Sequence, residues 1–314
     1  MRAILGLAAP CMLYFVQQLL NGFHIGAIYA LLSFGYALIN GVLRRTNLAH
    51  GAIFAFAGQV MILTAVFGWQ TLWLTLPATL MLGIVAALAY GALVSAILAR
   101  GVLQPLATRA PNGIVVATLG VALALMELGR IASETRDFWL PPLLQSPVVF
   151  ASEGTFQVTL TTLQVANCML AAAVLFASSW AMTRTRFGRE WLAVSDDPGA
   201  AAFCGVDTRR VFSRSVVLGG LAASLAGILA GLYYGNISFG TGLVFGLKIL
   251  FVTAVGGYLA PARAAVGGFA FGIAESLWSG YFPVEWRDGW MLGLLVALLV
   301  LRREAVDAGE AERA

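Results

Sequence analysis

The chain has 314 residues, of which 60% are hydrophobic and 11% are charged. A soluble globular domain carries about 25% charged residues, and a water-soluble fold of this length has too little interior to bury so many apolar side chains. The composition therefore excludes a soluble enzyme and a disordered chain. The formal net charge is +4, which we interpret as an effect of membrane topology and not as a sign of nucleic-acid binding.

The residues needed for several common kinds of site are missing from the sequence. Lys248 is the only lysine and is followed by isoleucine and leucine, so the chain lacks the phosphate-binding loop of ATPases. The two histidines, His24 and His50, and the three cysteines lack the spacing of metal ligands or of a disulfide framework. We therefore expect this chain to have no catalytic residue and to bind no metal and no cofactor.

Nine segments are long and apolar enough to be membrane-spanning helices, which need about 20 mostly apolar residues. They are residues 18–40, 49–68, 74–98, 113–130, 160–182, 213–235, 243–259, 264–281 and 288–301. Residues 5–17 are apolar enough to lie in the membrane interface ahead of the first span. The sequence predicts an all-α polytopic integral membrane protein with about eight to ten transmembrane helices, nine being the preferred count.

Arginines in the connecting loops indicate the orientation, because cytoplasmic loops carry an excess of Lys and Arg. With alternating spans, 14 arginines fall on one side and four on the other. We expect an outer N-terminus, a cytoplasmic C-terminus with a solvated tail at 302–314, and a single transmembrane domain over 1–314. The outer segment 131–159 is acidic and contains two adjacent prolines, which favours an irregular interfacial loop.

The basic cytoplasmic loop at 184–212 is more ordered than a solvated connection requires. Asp197 is a good N-cap residue, proline follows it, and Gly205 suits the position just after a helix. A short helix around Ala201 is therefore predicted. The arginines singled out beside it are Arg189, Arg209 and Arg210. One interpretation is a solvated amphipathic turn that obeys the positive-inside rule; the other is a helix that docks into a groove of a partner protein.

Four motifs, in collinear order, resemble those of the permeases of branched-chain amino-acid ATP-binding-cassette (ABC) importers. The motifs are Asn47-Leu-Ala-His50-Gly51, Thr118-Leu-Gly120, Thr185-Arg-Phe-Gly188-Arg189 with Ala193, Asp197, Ala201 and Gly205-Val-Asp207 downstream, and Gly246-Leu-Lys248 followed by Ala254-Val-Gly256-Gly257. The resemblance extends over residues 17–301. The chain departs from the family pattern at Ala52, at Leu192 and after Gly257, and these departures concern the substrate more than the transport role.

The resemblance implies a permease in the bacterial cytoplasmic (inner) membrane that forms one half of a homodimeric or heterodimeric permease pair, in contact with membrane lipid. It also implies two cytoplasmic ABC ATPases, which carry the ATP and Mg²⁺. A periplasmic or extracellular solute-binding protein would deliver a branched-chain amino acid or a related amide or urea. Within the coupling loop at 184–212, six residues are then assigned to ATPase coupling: Arg189, Asp197, Ala201, Gly205, Arg209 and Arg210.

Small residues recur every four positions along the sixth span, which favours close helix packing. These are Gly219, Ala223, Gly227, Gly231 and Gly235, and Gly22, Gly26 and Ala30 repeat the pattern in the first span. We interpret the ridge as structural packing; the alternative is a sliding surface at a subunit interface or in the pathway. The sequence predicts breaks in the seventh and eighth helices at Gly256-Gly257, Pro261 and Gly267-Gly268. A cytoplasmic turn between the two helices explains most of this pattern.

Three charged residues, Glu127, Lys248 and Glu275, fall inside predicted spans and away from the residues at their ends. Charge within the membrane is costly and suggests function. Lys248 and Glu275 lie in the outer halves of adjacent antiparallel spans, so we expect an ion pair that holds the two helices in register. The alternatives are lining of the substrate pathway and snorkelling. A pair predicts that swapping both charges is tolerated better than neutralising either residue alone. Glu127, the third charged residue, is treated as isolated.

Asn47, His50 and Gly51 open the second span, where helix capping and hydrogen bonding are favoured over contact with substrate.

For the whole chain, an ion-coupled secondary transporter is the alternative, since it also uses broken helices and charges within the membrane. It predicts inverted repeats and a carboxylate cluster, and the sequence has no clear repeat. An intramembrane enzyme needs a nucleophile and base or a metal cluster, and a passive scaffold does not explain the capped loop.

Overall fold

Most of the chain is α-helical in the computed structural model, which describes residues 2–153, 156–238 and 240–311 and the side chains of 12–152, 156–238 and 240–301. The helices are α1 (Arg2–Leu43), α2 (Ala49–Gln70), α3 (Leu76–Ile97), α4 (Gln104–Arg109), α5 (Gly113–Ala132), α6 (Thr162–Arg184), α7 (Arg186–Asp196), α8 (Pro198–Phe203), α9 (Thr208–Tyr234), α10 (Thr241–Gly256), α11 (Pro261–Tyr281) and α12 (Arg287–Ala311). The strands β1 (Pro147–Glu153) and β2 (Phe156–Thr161) form an antiparallel pair between α5 and α6.

Six helical stretches of the described chain are long and apolar enough to cross a membrane. They comprise α2, α5, α6, α9, Met12–Leu43 of α1, and Leu76–Arg109, in which a π-helical segment at Leu98–Leu103 joins α3 to α4. These six coincide with the first six predicted spans, so the chain is a largely helical, multi-pass membrane protein. Helices α10, α11 and α12 occupy the last three predicted spans, but α10 has only 16 residues, and the total of nine stays a prediction.

Helix α1 lies at the centre of the fold and packs along α9 and α11. Its glycines allow the close approach that the sequence predicts for the first span. A Cβ atom on Gly22 would lie 2.9 Å from Ile273 Cα, and one on Gly26 would lie 2.6 Å from the carbonyl oxygen of Phe269. Helices α3, α5 and α6 are instead mostly exposed, as expected for helices whose outer faces meet lipid or a second subunit.

The predicted glycine ridge of α9 is used for packing within this chain. Gly219 contacts the backbone of Gly35 in α1, Gly227 contacts the Phe54 carbonyl in α2, and Gly231 faces Met61 in α2. Ala223 is fully buried. Gly235 does not continue the ridge, because α9 ends at Tyr234 and Gly235 adopts a left-handed backbone with φ of +73°.

Two outer segments differ from their predictions. Residues 5–17 belong to the continuous helix α1 and not to a separate interfacial segment. The β1–β2 hairpin occupies the second half of the predicted irregular loop at 131–159 and extends two residues beyond it, so this short stretch is an exception in an otherwise helical fold. Alternating burial of Val158 and Leu160 along β2 is a strand pattern, and the Gln17 amide of α1 holds the strand by bonding both Thr159 N (2.8 Å) and Thr159 O (2.9 Å).

The predicted turn between the seventh and eighth spans is confirmed in part. Helix α10 ends at Gly256, Gly257 has a φ of +102°, and Pro261 is the first residue of α11. Gly267-Gly268 does not break a helix, because α11 continues unbroken to Tyr281 and these glycines instead pack against α10 and α1. In the predicted tail, α12 continues to Ala311, and residues 312–314 lie outside the described part of the chain.

Candidate functional site

A cavity of about 690 Å³ lies between α1, α2 and the ends of α9, α10, α11 and α12. It is at the Tyr234 end of α9, the end opposite the basic loop. Its wall is partly apolar, and the side chains of Ile25, Ile28, Phe54 and Phe245 belong to it. Its volume falls within the range of small-molecule sites, about 300–1,000 Å³.

Four charged side chains form a closed ring in the wall of this cavity; we call Lys248, Glu275, Arg287 and Asp288 the charge ring. Lys248 Nζ lies 2.9 Å from Glu275 Oε1 and 2.9 Å from Asp288 Oδ1. Arg287 Nε lies 3.3 Å from each of the same two oxygens. Each cation therefore contacts both anions, and the ring has no net charge. The Tyr29 hydroxyl accepts a longer hydrogen bond from Lys248 (3.5 Å).

The ring confirms the predicted pairing of Lys248 with Glu275 and adds two residues that the sequence reasoning missed. Arg287 and Asp288 open α12 and complete the ring. No sequence pattern marks them, because charged residues are ordinary at the start of a span. Glu127 is not isolated, since it pairs with Arg130 one turn later on the exposed side of α5.

The basic loop folds into α7 and α8, at the opposite end of α9 from the charge ring. The Asp197 carboxylate caps α8 by accepting hydrogen bonds from Gly199 N (2.7 Å) and Ala200 N (3.0 Å). These two bonds hold the pKa of Asp197 below its usual value. Gly205 follows the helix with φ of +82°, the left-handed conformation that favours glycine. The predicted capped helix is therefore present, with Pro198 as its first residue.

The residues of α8 point in two directions. Ala201 is buried against this chain, so it positions the helix and is not a contact for a partner. Phe203 is 96% exposed, which the sequence reasoning did not anticipate. The predicted coupling arginines, Arg189, Arg209 and Arg210, are all exposed. An exposed apolar side chain in a loop that also carries exposed basic groups is the composition of a docking surface.

Two further residues, also missed, join this loop to the central helix. The buried Trp191 of α7 donates from Nε1 to Leu38 O of α1 at 2.9 Å, and its ring packs on Gly41. Arg44, just after α1, donates to the carbonyl oxygens of Ser195 and Asp196 at the end of α7. The signals were a tryptophan within a basic loop and an arginine at the end of the first span.

The Asn47-Leu-Ala-His50-Gly51 motif is structural in its contacts. Asn47 Oδ1 accepts from Ala49 N (3.1 Å) at the start of α2, and His50 Nε2 lies 3.0 Å from Leu32 O. Gly51 faces the backbone of α10, where an added Cβ would collide with Gly242 and Gly246. Asn47, His50 and Gly51 are buried and lie outside the cavity wall. Their contacts are hydrogen bonds and close packing, while the N-cap position of α2 is Leu48, which makes no side-chain capping bond.

Comparison with known proteins decides the family. A family profile described as branched-chain amino acid transport system / permease component matches residues 18–299. The chain belongs to this family. LivH, a high-affinity branched-chain amino acid transport system permease protein of Salmonella typhimurium, is 30% identical over 293 residues, which cover 92% of this chain and 94% of LivH.

Other relatives of this permease differ in what their names say they carry. BraD of Pseudomonas aeruginosa, also a high-affinity branched-chain amino acid permease protein, is 25% identical over 299 residues, covering 93% of this chain and 95% of BraD. LsrC of Klebsiella pneumoniae, an autoinducer 2 import system permease protein, is 32% identical over 140 residues, covering 42% of this chain and 40% of LsrC. The relatives are permease components, so the expectation of a transport subunit is confirmed.

Proposed function

We propose that this chain is the membrane-spanning permease of an ABC importer that moves a branched-chain amino acid, or a related small amide, into the cytoplasm. The observation that carries the proposal is the family match over residues 18–299. The names of LivH and BraD supply the substrate class. The partial match to an autoinducer 2 permease is the reason to test other solutes beside amino acids.

The proposed assembly follows from the division of labour in such importers. Two ABC ATPases bind the ATP and Mg²⁺, a second permease subunit completes the pathway, and an external solute-binding protein delivers the substrate. The chain lies in the bacterial cytoplasmic membrane in a nine-span arrangement with the charge ring toward the outside. The loop at 184–212 and the tail at 302–314 then lie in the cytoplasm. In total, 14 of the 19 lysines and arginines are on this side.

Helix α8 is the proposed contact with an ATPase. Supporting this are its cap at Asp197, its left-handed terminator at Gly205 and the exposed Phe203. A helix of only six residues is unstable in isolation, so its shape depends on these caps and on the buried Ala201. Rocking of the spans between outward-open and inward-open states would be biased by the nucleotide state of the ATPases.

Reconstituted transport tests the proposed function. The permease, its partner permease and both ATPases are reconstituted together in proteoliposomes, and the solute-binding protein is added. We expect the proteoliposomes to accumulate radiolabelled leucine, isoleucine or valine only when ATP is present on the ATPase side. Urea and a primary amide serve as competing solutes. Uptake by this chain alone, driven by a proton or sodium gradient, would instead establish a secondary transporter.

Replacing Asp197 with alanine is expected to uncouple ATP hydrolysis from uptake. The substitution removes the acceptor for two backbone N–H groups, so α8 frays while the membrane part of the chain is untouched. Uptake per ATP hydrolysed, measured in proteoliposomes, should fall strongly, and the amount of protein in the membrane should not change. Gly205→Val should act in the same direction, because a β-branched residue is strained at positive φ.

The matched control is Asp197→Asn, since asparagine caps helices about as well as aspartate. This variant should keep normal coupling because it preserves the acceptor oxygen. Normal transport by Asp197→Ala and by Gly205→Val in the complete importer would show that α8 is only a surface turn.

A further inference from the structure

We propose that the cavity beside the charge ring binds a zwitterionic amino acid with an apolar side chain, with Glu275 holding its ammonium group and Arg287 its carboxylate. The proposal rests on the transport function above and adds a binding site within the membrane to it. Three features of the cavity carry it: an unsatisfied carboxylate oxygen, a guanidinium with unused donors, and an apolar wall.

The first feature is the free oxygen of Glu275. Its Oε1 contacts both Lys248 Nζ and Arg287 Nε, and Glu275 belongs to the cavity wall. Its Oε2 is buried and accepts no hydrogen bond from the described residues. A buried acceptor without a partner is destabilising. Because Oε2 is enclosed, the Glu275 carboxylate must turn toward the cavity to meet a ligand ammonium group, which would then supply both a hydrogen bond and a positive charge.

The second feature is the spare capacity of Arg287. Both of its ion-pair contacts with the ring are made through Nε, whereas a guanidinium carries five N–H donors in a planar fork. Its side chain is 33% exposed and lines the cavity. The terminal nitrogens are therefore placed to bind a ligand carboxylate in the two-bond manner typical of arginine.

The third feature is the match between the cavity as a whole and the ligand. The ring has no net charge, so a zwitterion enters without leaving an uncompensated charge, whereas an isolated cation or anion would leave one. Ile25, Ile28, Phe54 and Phe245 form an apolar wall in the same cavity, which suits an aliphatic side chain. A clamp that only joined α10 to α11 would need neither Arg287 nor the cavity.

Binding of radiolabelled leucine to the importer complex in lipid nanodiscs, without the solute-binding protein, tests the site. The competitors are 4-methylpentanoate, which is leucine without the ammonium group, and isoamylamine, which is leucine without the carboxylate. The affinity of each analogue, measured by competition, should be at least about tenfold lower than that of unlabelled leucine, since each analogue lacks one charged hydrogen-bonding group. This comparison uses the unmodified chain and so does not depend on whether a variant folds.

Two variants assign the groups. Arg287→Lys keeps the positive charge of the ring but loses the fork, so leucine should bind about tenfold more weakly and lose most of its advantage over isoamylamine. Glu275→Gln should likewise reduce the advantage of leucine over 4-methylpentanoate. Matched controls are Arg130→Lys and Glu127→Gln, which alter an exposed ion pair on α5 outside the cavity and should leave leucine binding unchanged.

The outcomes separate this site from the proposed function. If the nanodisc complex binds no leucine, while the complex with its binding protein takes leucine up with ATP, the charge ring is structural and the transport function stands. Competition by either analogue as strongly as by leucine would also overturn the site. Failure of ATP-driven uptake of all tested solutes would instead count against the proposed function.

Discussion

Lys248→Met and Glu275→Gln are each expected to lower the free energy of unfolding more than the two substitutions combined. The Lys248 side chain is 2% exposed and that of Glu275 is 7% exposed. Removing one member leaves the ring with one unbalanced charge, and breaking a buried ion pair in this way costs about 3–5 kcal/mol. In the double variant the remaining ring members, Arg287 and Asp288, still neutralise each other.

The same ring reverses the effect expected of a charge swap. From the sequence, an isolated pair predicts that Lys248→Glu combined with Glu275→Lys is better tolerated than a single neutral substitution. In the structure, the new carboxylate at position 248 would face Asp288, and the new ammonium group at position 275 would face Arg287. Two like-charge contacts near the membrane interior make the swap the most damaging of the four variants.

Thermal unfolding of the purified permease in detergent, together with its yield from membranes, measures this order of stability. Glu127→Gln is the control, because its ion pair with Arg130 is exposed and exposed pairs contribute little to stability. A swap variant as stable as the double neutral variant would show that Asp288 and Arg287 do not belong to one charge network with the buried pair.

The charge ring also illustrates how far the sequence could predict this site. Lys248 and Glu275 stand out because they are charged residues within apolar segments, and two consecutive spans are antiparallel by necessity. Arg287 and Asp288 lie at the start of a span, where charged residues are ordinary, so no pattern distinguishes them. Their role depends on how α12 packs against α10, which is a tertiary contact without a local signature.

Local chemistry explains why the capped helix α8 was predicted well and the hairpin was not. Asp197, Pro198 and Gly205 act on their own neighbouring backbone, so their effect can be read from sequence order. The hairpin strand β2 contains alternating residues, but its stability depends on Gln17, which is distant in sequence and bonds to the Thr159 backbone. The orientation of α8, with Ala201 inward and Phe203 outward, likewise depends on packing against α7 and α9.

Trp191→Ala is expected to disconnect ATP hydrolysis from transport and to destabilise the cytoplasmic end of the protein. The indole is 2% exposed, and truncating a buried aromatic side chain to alanine costs about 3–5 kcal/mol. Trp191 and Arg44 attach the α7–α8 loop to the end of α1. The same helix carries Tyr29 into the cavity wall, so α1 is the continuous element between the α7–α8 loop and the charge ring.

The ratio of leucine taken up to ATP hydrolysed, measured in proteoliposomes, is the decisive quantity. It should fall strongly in Trp191→Ala and to a smaller extent in Trp191→Phe, which keeps much of the packing but loses the hydrogen bond to Leu38 O, at about 1 kcal/mol. Trp180→Ala is the matched control, because Trp180 on α6 is 56% exposed and makes no contact of this kind with α1 among the described residues. If Trp191→Ala retains normal coupling while the Asp197→Ala variant does not, the force from α8 must reach the membrane through α9, the helix that follows the loop, and not through α1.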